Sequence, residues 1–359
     1  MDFMARALEQ ARQALGKTSP NPAVGALVVK NGAIVGKGHT QAPGQAHAEV
    51  VALAQASVNA EGAVLYTTLE PCCHYGRTPP CTRTIVSARI AEVHIATLDP
   101  NPLVNGQGRK ELEEAGIRTF VGERQAEAQE LNEAYFKFVT TGQPFVTAKF
   151  AASLDGKIAT ASGESQWITG MEARRRANSL RGLCDGLMVG VNTVLRDDPL
   201  LTARDEDDRP LNVQPLRIVV DSRGRTPSRA RLFQSPGKVL IATAVNDTAL
   251  VERLLRLSAQ VEAFPSEDGR VDLRALLEFL GRQHLYSILA EGGGTLLGSL
   301  LDMQLVDKVV AFIAPLIIGG QGSLTPVEGR GADRLANALR LKRVRVEHLG
   351  DDLMIVGYP

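Results

Sequence analysis

Apolar and polar residues along this chain keep switching between a helical period and a strand period. Met1 to Gly16 carries Asp2, Arg6, Glu9 and Arg12 at amphipathic spacing, which predicts a surface helix. Two strands follow, Ala23–Lys30 and Ala33–Gly38, joined by Asn31-Gly32, a strong signal for a two-residue hairpin turn. Ala48 through Ala56 reads as an apolar-rich helix, 64–69 as a strand, Cys81 to about Arg89 as a helix, and Glu92–Thr97 as a strand. A helix over about Arg109–Ala115 closes at Gly116, the residue type that tolerates a left-handed cap. Strand Arg118–Val121 and one helix over about Arg124–Val139 complete a unit that predicts three α/β/α layers around a mixed sheet.

Thr141-Gly142-Gln143-Pro144 interrupts the pattern, so the boundary is placed between residues 1–143 and 144–359. The second half restarts with a β run, Phe145–Ala151. Further strands are expected at Gly186–Val191, Leu216–Asp221, Lys238–Thr243, Val261–Phe264, Ser287–Ala290 and Val309–Ile313. Helices are expected near Met171–Leu183, Thr248–Leu257, Leu273–Gln283 and Thr295–Met303, again an α/β pattern. The tail, Arg343–Glu347 and Leu353–Gly357, predicts a closing hairpin, and the polar, Pro-containing stretch Asp205–Pro215 predicts a loop.

Composition narrows the choice of function. A chain of 359 residues exceeds what one core usually holds, and 44% apolar content is that of a globular protein. Forty basic side chains balance forty acidic ones, which disfavours a nucleic-acid partner and favours a small-molecule substrate. Four cysteines without disulfide-like spacing predict a reducing compartment, and the cytoplasm is the expected location. No membrane association is expected. The longest apolar candidate, Val309 to Ile318, is broken by Pro315 and falls short of the roughly 20 residues a span requires.

The chemistry concentrates in His47-Ala48-Glu49, then Glu70-Pro71-Cys72, then Cys81. H-x-E followed by P-C and a second Cys is the order seen in zinc nucleobase deaminases. One imidazole and two thiolates suit Zn²⁺, and three protein ligands leave the fourth position to water, as in a catalytic site. Zinc lowers the pKa of bound water to about 7. Glu49 would then move protons from that water to the ring nitrogen and the departing ammonia. His47 and Glu49, two residues apart, can converge only where the chain is just entering a helix. Cys81 opens a helix as well, and helix N-termini help keep thiols ionised. Inert buried cysteines are one alternative; another is a structural zinc completed by Cys73 or His74.

The spacing departs from the usual C-x-x-C, since eight residues separate Cys72 from Cys81. That loop, Pro71-Cys72-x-His74-x-Gly76-Arg77-Thr78-Pro79-Pro80-Cys81, resembles the bifunctional riboflavin-biosynthesis enzymes that join a pyrimidine deaminase to a reductase. Pro20-Asn21-Pro22-Ala23-Val24-Gly25 and Asp99-Pro100-Asn101-Pro102 are similar to two further blocks of the family. The resemblance implies a cytidine-deaminase-like first domain, with Asn21 and His74 near the deaminase substrate. By their residue types alone, either could equally stabilise a turn.

No G-x-G-x-x-G fingerprint is present, so a standard dinucleotide fold is not supported. Ser287 to Leu296 does read as a strand, three glycines (Gly292, Gly293, Gly294) and a helix, a layout that can cradle pyrophosphate or simply pack closely. Ala152-Ser153-Leu154-Asp155-Gly156-Lys157, Gly163 to Thr169 and Thr193 to Pro199 resemble the reductase half of the same family. That resemblance implies a dihydrofolate-reductase-like α/β domain that uses NADPH. It places Ala151, Trp167, Thr193, Asp197, Ser222 and the Gly293-Gly294-Thr295 turn near the cofactor. Ser165, Arg181, Leu201, Arg204 and Glu291 fall near the substrate. Arg181 and Arg204 suit a sugar phosphate, Trp167 a nicotinamide or adenine or a place in the core, and Asp197 a proton transfer or a cap.

The expected function is deamination of 2,5-diamino-6-ribosylamino-4(3H)-pyrimidinone 5′-phosphate by the first half. The second half then reduces the ribosyl chain to ribityl with NADPH. The alternatives are another base or nucleoside deaminase with a C-terminal binding or oligomerisation module, and a non-enzymatic zinc-stapled scaffold. A homo-oligomer is compatible with all three.

Overall fold

In the computed structural model the first helix, α1 (Phe3–Arg12), begins after Asp2, whose carboxylate accepts the Ala5 amide at 2.8 Å. It buries Met4, Ala7, Leu8 and Ala11 along one face. The structure describes every residue except Arg77, Asn246, Asp247, Leu257 and Ser258, and the side chains at 248–250 and 255 are also left undescribed. Arg77 of the long cysteine loop and the last residue of the helix expected over Thr248–Leu257 therefore lie outside the described residues.

Strands β1 (Gly25–Lys30) and β2 (Ala33–His39) form the predicted hairpin. Asn31 and Gly32 both take positive φ, 51° and 75°, as a two-residue turn matched to strand twist requires. There follow α2 (Ala48–Ala56), β3 (Val64–Thr67), α3 (Cys81–Ser87), β4 (Glu92–Ile95), α4 (Gln107–Glu114) and β5 (Arg118–Val121). The sheet order is β2-β1-β3-β4-β5. Its β1 pairs are antiparallel, while β3, β4 and β5 run parallel. Helices α2, α3 and α4 pack on one face through Ala52, Leu53, Ile85 and Leu112, and α1 covers the other.

One expected helix is two. α5 (Gln125–Leu131) and α6 (Glu133–Thr141) break at Asn132. The Asn132 side chain accepts the Ala23 amide at 2.8 Å and donates to the Ala23 carbonyl at 2.9 Å. No Gly or Pro announces this break; a buried bond to a residue 109 positions away sets it.

The second sheet is built by β6 (Phe145–Ser153), β7 (Gly186–Gly190), β8 (Leu216–Val220), β9 (Val239–Thr243), β10 (Gln260–Ala263), β11 (Ser287–Glu291), β12 (Lys308–Ala314), β13 (Lys342–Leu349) and β14 (Asp352–Tyr358). Its order is β10-β9-β8-β7-β11-β6-β12-β14-β13, parallel as far as β12, with β14 antiparallel to both β12 and β13. Helices α7 (Met171–Arg181), α8 (Val191–Asp197), α9 (Thr248–Leu255), α10 (Leu273–Arg282) and α11 (Gly294–Asp302) cover it. α10 and α11 bury Leu276, Leu280, Leu297 and Leu300 on one face. Val191 and Val194 of α8 pack on the other with Leu187 and Val189. Helix α8 was not foreseen, because β-branched Val191, Thr193 and Val194 favour strand, although Gly190 caps the helix at the end of β7. Two compact units result, Met1–Gln143 and Pro144–Pro359.

Close approach of α1 to β1 depends on Gly25. A Cβ there would sit 1.9 Å from the Ala7 carbonyl oxygen and 2.5 Å from the Ala11 amide. Gly25→Ala should therefore push α1 off the sheet and cost about 1–3 kcal/mol by overpacking. Urea melts together with faster amide exchange in α1 would show this, and an unchanged melt would contradict it.

Candidate active site

The first site forms where three chain segments end or begin. His47 stands at the N-cap of α2 with extended backbone (φ −75°, ψ 165°), and Glu49 lies in the first turn of that helix. The chain thus enters a helix between them, as their convergence demands. Cys72 sits in the loop after β3, and Cys81 is the first residue of α3. His47 Nδ1 lies 3.5 Å from Cys72 Sγ and 3.3 Å from Cys81 Sγ. All three donor atoms fall within 4.8 Å of one another. A tetrahedral zinc with ordinary Zn–N and Zn–S bonds would need edges of roughly 3.5–3.8 Å, so the set fits that ion. His47 Nε2 faces Thr78 Oγ1 at 3.3 Å, a hydroxyl that would accept the Nε2 proton when Nδ1 holds a cation.

Neither Cys73 nor His74 joins this cluster among the described residues. The Cys73 thiol donates to the Leu103 carbonyl at 3.7 Å, and His74 is not part of the donor set. Among the described residues no fourth donor joins the set, so a zinc held there would keep a position for solvent or substrate. Burial lifts the Glu49 carboxyl to about 7, the thiolate charge of Cys72 adding to the effect. Its Oε2 accepts from Cys81 Sγ at 3.6 Å. The neighbouring Cys81 thiol holds Cys72 down to about 4, while Cys72 and burial push Cys81 up. The α3 N-terminus serves Cys72 rather than its own first residue, since the Cys81 amide donates to Cys72 Sγ at 3.4 Å.

Glu70, beside the cysteine loop, is buried and saturated. Its Oε2 accepts the amides of Asp99 at 3.1 Å and Gly106 at 2.9 Å, and its Oε1 accepts that of Arg109 at 2.9 Å. Asp99 is pushed up to about 6 by burial, opposed by bonds from the Asn101 amide and the Tyr135 hydroxyl. The charge of His74 acts on that carboxyl, and its buried Nδ1 has no hydrogen-bond partner among the described residues. Asn21 closes a turn through its backbone, its amide donating to the Thr18 carbonyl at 2.7 Å.

In the second unit Glu291 ends β11 and meets Arg181, the last residue of α7, through two bonds of 3.0 and 2.6 Å. Lys149 of β6 stands in register beside Glu291 and over the Phe312 ring. Burial pushes the Lys149 ammonium down, and Glu291 counters it. Burial alone would raise Glu291, but the two cations hold it at about 2. Lys149 was missed in the sequence; its only signal was a lysine interrupting the apolar run Phe145–Ala151.

The other expected residues divide. Ser165 Oγ donates to Asp197 Oδ1 at 3.1 Å, so Asp197, closing α8, accepts a side chain and caps no N-terminus. Thr193 abuts the glycine turn. Gly292 and Gly293 take φ of 64° and 74°, and a Cβ on either would come within 3.4 Å of Thr193 Oγ1. That bare backbone ahead of α11 fits a pyrophosphate cradle. Gly294 serves packing, since a Cβ there would lie 2.5 Å from the Thr325 carbonyl oxygen. The Thr295 hydroxyl is engaged by Glu328 at 2.7 Å, and the Ser222 hydroxyl accepts the Val271 amide at 3.1 Å. Trp167 is 69% exposed, so it is no core residue, and Arg174 lies 4.5 Å over its ring. Arg204 bonds Thr202 and Asp208, Leu201 is buried with a φ of 54°, and Ala151 pairs with Phe312 inside the sheet.

Residues 1–97 match the cytidine and deoxycytidylate deaminase zinc-binding region, and residues 144–355 match the RibD C-terminal domain. Riboflavin biosynthesis protein RibD of Actinobacillus pleuropneumoniae is 42% identical over 99% of this chain and 94% of its own length. The Aquifex aeolicus protein of the same name is 41% identical over 99% and 97%. The solved structure of Acinetobacter baumannii RibD superposes with a TM-score of 0.89 at 36% identity, covering 99% of this chain and 98% of that one. The chain belongs to the RibD family. As in that family, a zinc deaminase and a dihydrofolate-reductase-like NADPH reductase share one polypeptide of the riboflavin pathway. No described helix is long and apolar enough to cross a membrane.

Two outcomes follow from the geometry of this RibD chain. Thr78→Val should weaken zinc binding about 10–100-fold by freeing the His47 ring, measured by competition with a chromophoric chelator. Glu291→Ala should cost the C-terminal unit about 3–5 kcal/mol by stranding two buried cations. The folded carboxyl, at about 2, lies below its unfolded value of roughly 4.3. Its contribution is therefore complete above about pH 4.3 and lost as pH falls toward 2. Amide exchange in β6 and β11 should show that acid loss in the parent and a flatter profile in Glu291→Gln.

Proposed function

We propose that residues 1–143 hydrolyse the exocyclic amine of 2,5-diamino-6-ribosylamino-4(3H)-pyrimidinone 5′-phosphate. Residues 144–359 then reduce the ribosyl side chain of the product to ribityl. The Thermotoga maritima protein whose structure is 32% identical carries the name of a diaminohydroxyphosphoribosylaminopyrimidine deaminase and 5-amino-6-(5-phosphoribosylamino)uracil reductase, and this reading extends that pair of activities to the present chain. Its four unpaired cysteines suit a reducing cytoplasm.

The observation that carries the reading is Glu49. Its carboxyl is buried in the first turn of α2, with Oε2 3.6 Å from the Cys81 sulfur of a three-donor zinc site, which sets a proton carrier against the metal position. Zinc held by His47, Cys72 and Cys81 would supply a water acidic enough to act as nucleophile. Glu49 would take one proton from the attacking water and pass it to the ring nitrogen, then take the second from the newly added hydroxyl and pass it to the amine, which leaves as ammonia while the carbonyl forms. Asn21 and His74 orient the pyrimidine.

In the reductase half NADPH supplies hydride to C1′ of the sugar. The Gly292-Gly293 turn with Thr193 would hold the cofactor's phosphates, and Trp167, Ala151 and Ser222 would contact the rest of it. Arg181, held by Glu291, and Arg204 face the substrate with Ser165 and Leu201. Lys149 brings a cation whose charge burial disfavours to the same place, so it can donate a proton to the opening ring oxygen; Asp197, bonded to Ser165, positions that hydroxyl.

Glu49→Gln should lower ammonia release by about 10²–10⁴-fold. It should retain one zinc per chain and full NADPH oxidation on the deaminated substrate. Ammonia release at the parent rate in that variant would remove Glu49 from the mechanism.

A further inference from the structure

Residues 198–203 belong to no helix or strand, yet Leu201, Thr202 and Ala203 are all buried. Leu201 also takes a φ of 54°, a left-handed conformation that a leucine keeps only where its neighbours over-determine it. With no ladder to join, this backbone is held by side chains. The Leu200 carbonyl accepts the Ser235 hydroxyl at 3.3 Å and Arg217 Nη1 at 3.4 Å. The Thr202 carbonyl accepts Arg181 Nη1 at 3.4 Å. Ala203 is held at both its polar groups by one side chain. Gln214 Oε1 accepts its amide at 2.8 Å, and Gln214 Nε2 donates to its carbonyl at 2.9 Å. The same Nε2 donates to the Leu211 carbonyl at 2.7 Å. Ala203 and Leu211 thus form the neck of a loop: the Leu211 amide donates to the Ala203 carbonyl at 3.0 Å, and Arg204 bridges to Pro210 just beyond.

We propose that Gln214 is a positioning residue for the reduction, a clamp that sets the Arg204 guanidinium where the substrate's phosphate needs it. The inference rests on the reading that Arg204 faces the sugar phosphate. Arg204 is the first residue past the clamped neck. Its Nε donates to Thr202 Oγ1 at 3.0 Å and its Nη1 to Asp208 Oδ2 at 2.8 Å, while Nη2 has no bond among the described residues. A guanidinium fixed on one edge and open on the other is set to receive an anion. At position 214 an amide serves both polar groups of Ala203, accepting from one and donating to the other. A carboxylate would turn an acceptor onto two carbonyls, and a shorter side chain would leave the buried Ala203 amide without a partner. Packing holds the clamp in place as well, since a Cβ on Gly237 would lie 2.9 Å from Gln214 Cβ.

The full chain, zinc-loaded, would be assayed for NADPH oxidation on 5-amino-6-(5-phosphoribosylamino)uracil. Gln214→Ala should raise KM for that substrate about tenfold, with kcat and the KM for NADPH within about twofold of the parent. A merely structural role would instead lower kcat through a smaller folded fraction and leave KM alone, and that result overturns the proposal. Arg204→Gln should raise the same KM about 10–100-fold. The double variant should lie within about twofold of Arg204→Gln, because Gln214 acts through that guanidinium, whereas multiplied effects would overturn the clamp. If Arg204→Gln raises KM and Gln214→Ala does not, the proposal alone falls. If Arg204→Gln leaves KM unchanged, the reading of Arg204 as a substrate residue fails and takes the proposal with it. Should Gln214→Ala fail to fold, Gln214→Glu, which keeps the volume, decides: it too should raise KM, and a parent value would refute the clamp.

Discussion

The deaminase site depends on one buried carboxylate. Glu70 receives three backbone amides, from the loop after β4 and from the first turn of α4, and so ties both to the end of β3. A carboxylate in that position is stable only while those donors surround it. Pro71 and Cys72 follow directly, and Gly108 lets α4 rest against the Pro71 carbonyl, where any Cβ would intrude to 2.0 Å. With Cys72 placed, α3 directs its first amide onto that sulfur, and Cys81 lies beside His47. The approach of Cys72 and Cys81 to His47 thus follows from how a buried acid outside the donor set is satisfied.

The reductase unit follows the same logic with opposite signs. Glu291 and Lys149 are paired residues of adjacent parallel strands, and Arg181 arrives from the end of α7. Each charge alone would be costly to bury; together they leave a lysine whose proton is less tightly held than in water. Both Glu291 and Cys72 sit at carboxyl ends of parallel strands, where α/β sheets open a crevice for ligands. Glycines keep the backbone of that crevice bare at Gly292 and Gly293, while Gly294 next to them does nothing but admit the strap at Thr325 and Glu328.

Most of the elements could be read from hydrophobic period and turn chemistry. The Asn31-Gly32 hairpin and the helix over Ala48–Ala56 came out as expected, because local residues carry their whole cause. The break at Asn132 and helix α8 did not. The first is made by a side chain reaching Ala23, far away in sequence; the second hides in β-branched residues that local preference assigns to a strand. Within the site, His47, Glu49, Cys72 and Cys81 were legible because zinc chemistry restricts residue type and order. Glu70, Asp99 with Tyr135, and Lys149 were not, since an isolated acid or lysine in an apolar stretch looks like many others.

Residue order by itself determined the three donors that the fold brings together, the carboxyl beside them, the hairpin turn and the point where the pattern breaks, all of which rest on local chemistry and period. Tertiary structure decided which helix end serves which sulfur, which imidazole nitrogen faces the metal position, and which buried charges neutralise one another. It also decided that Trp167 stands in solvent and Gly294 in a packing contact. Those outcomes depend on distances between segments remote in the chain, and burial changes the energy of a charge or a hydrogen bond only once the fold has excluded water around it.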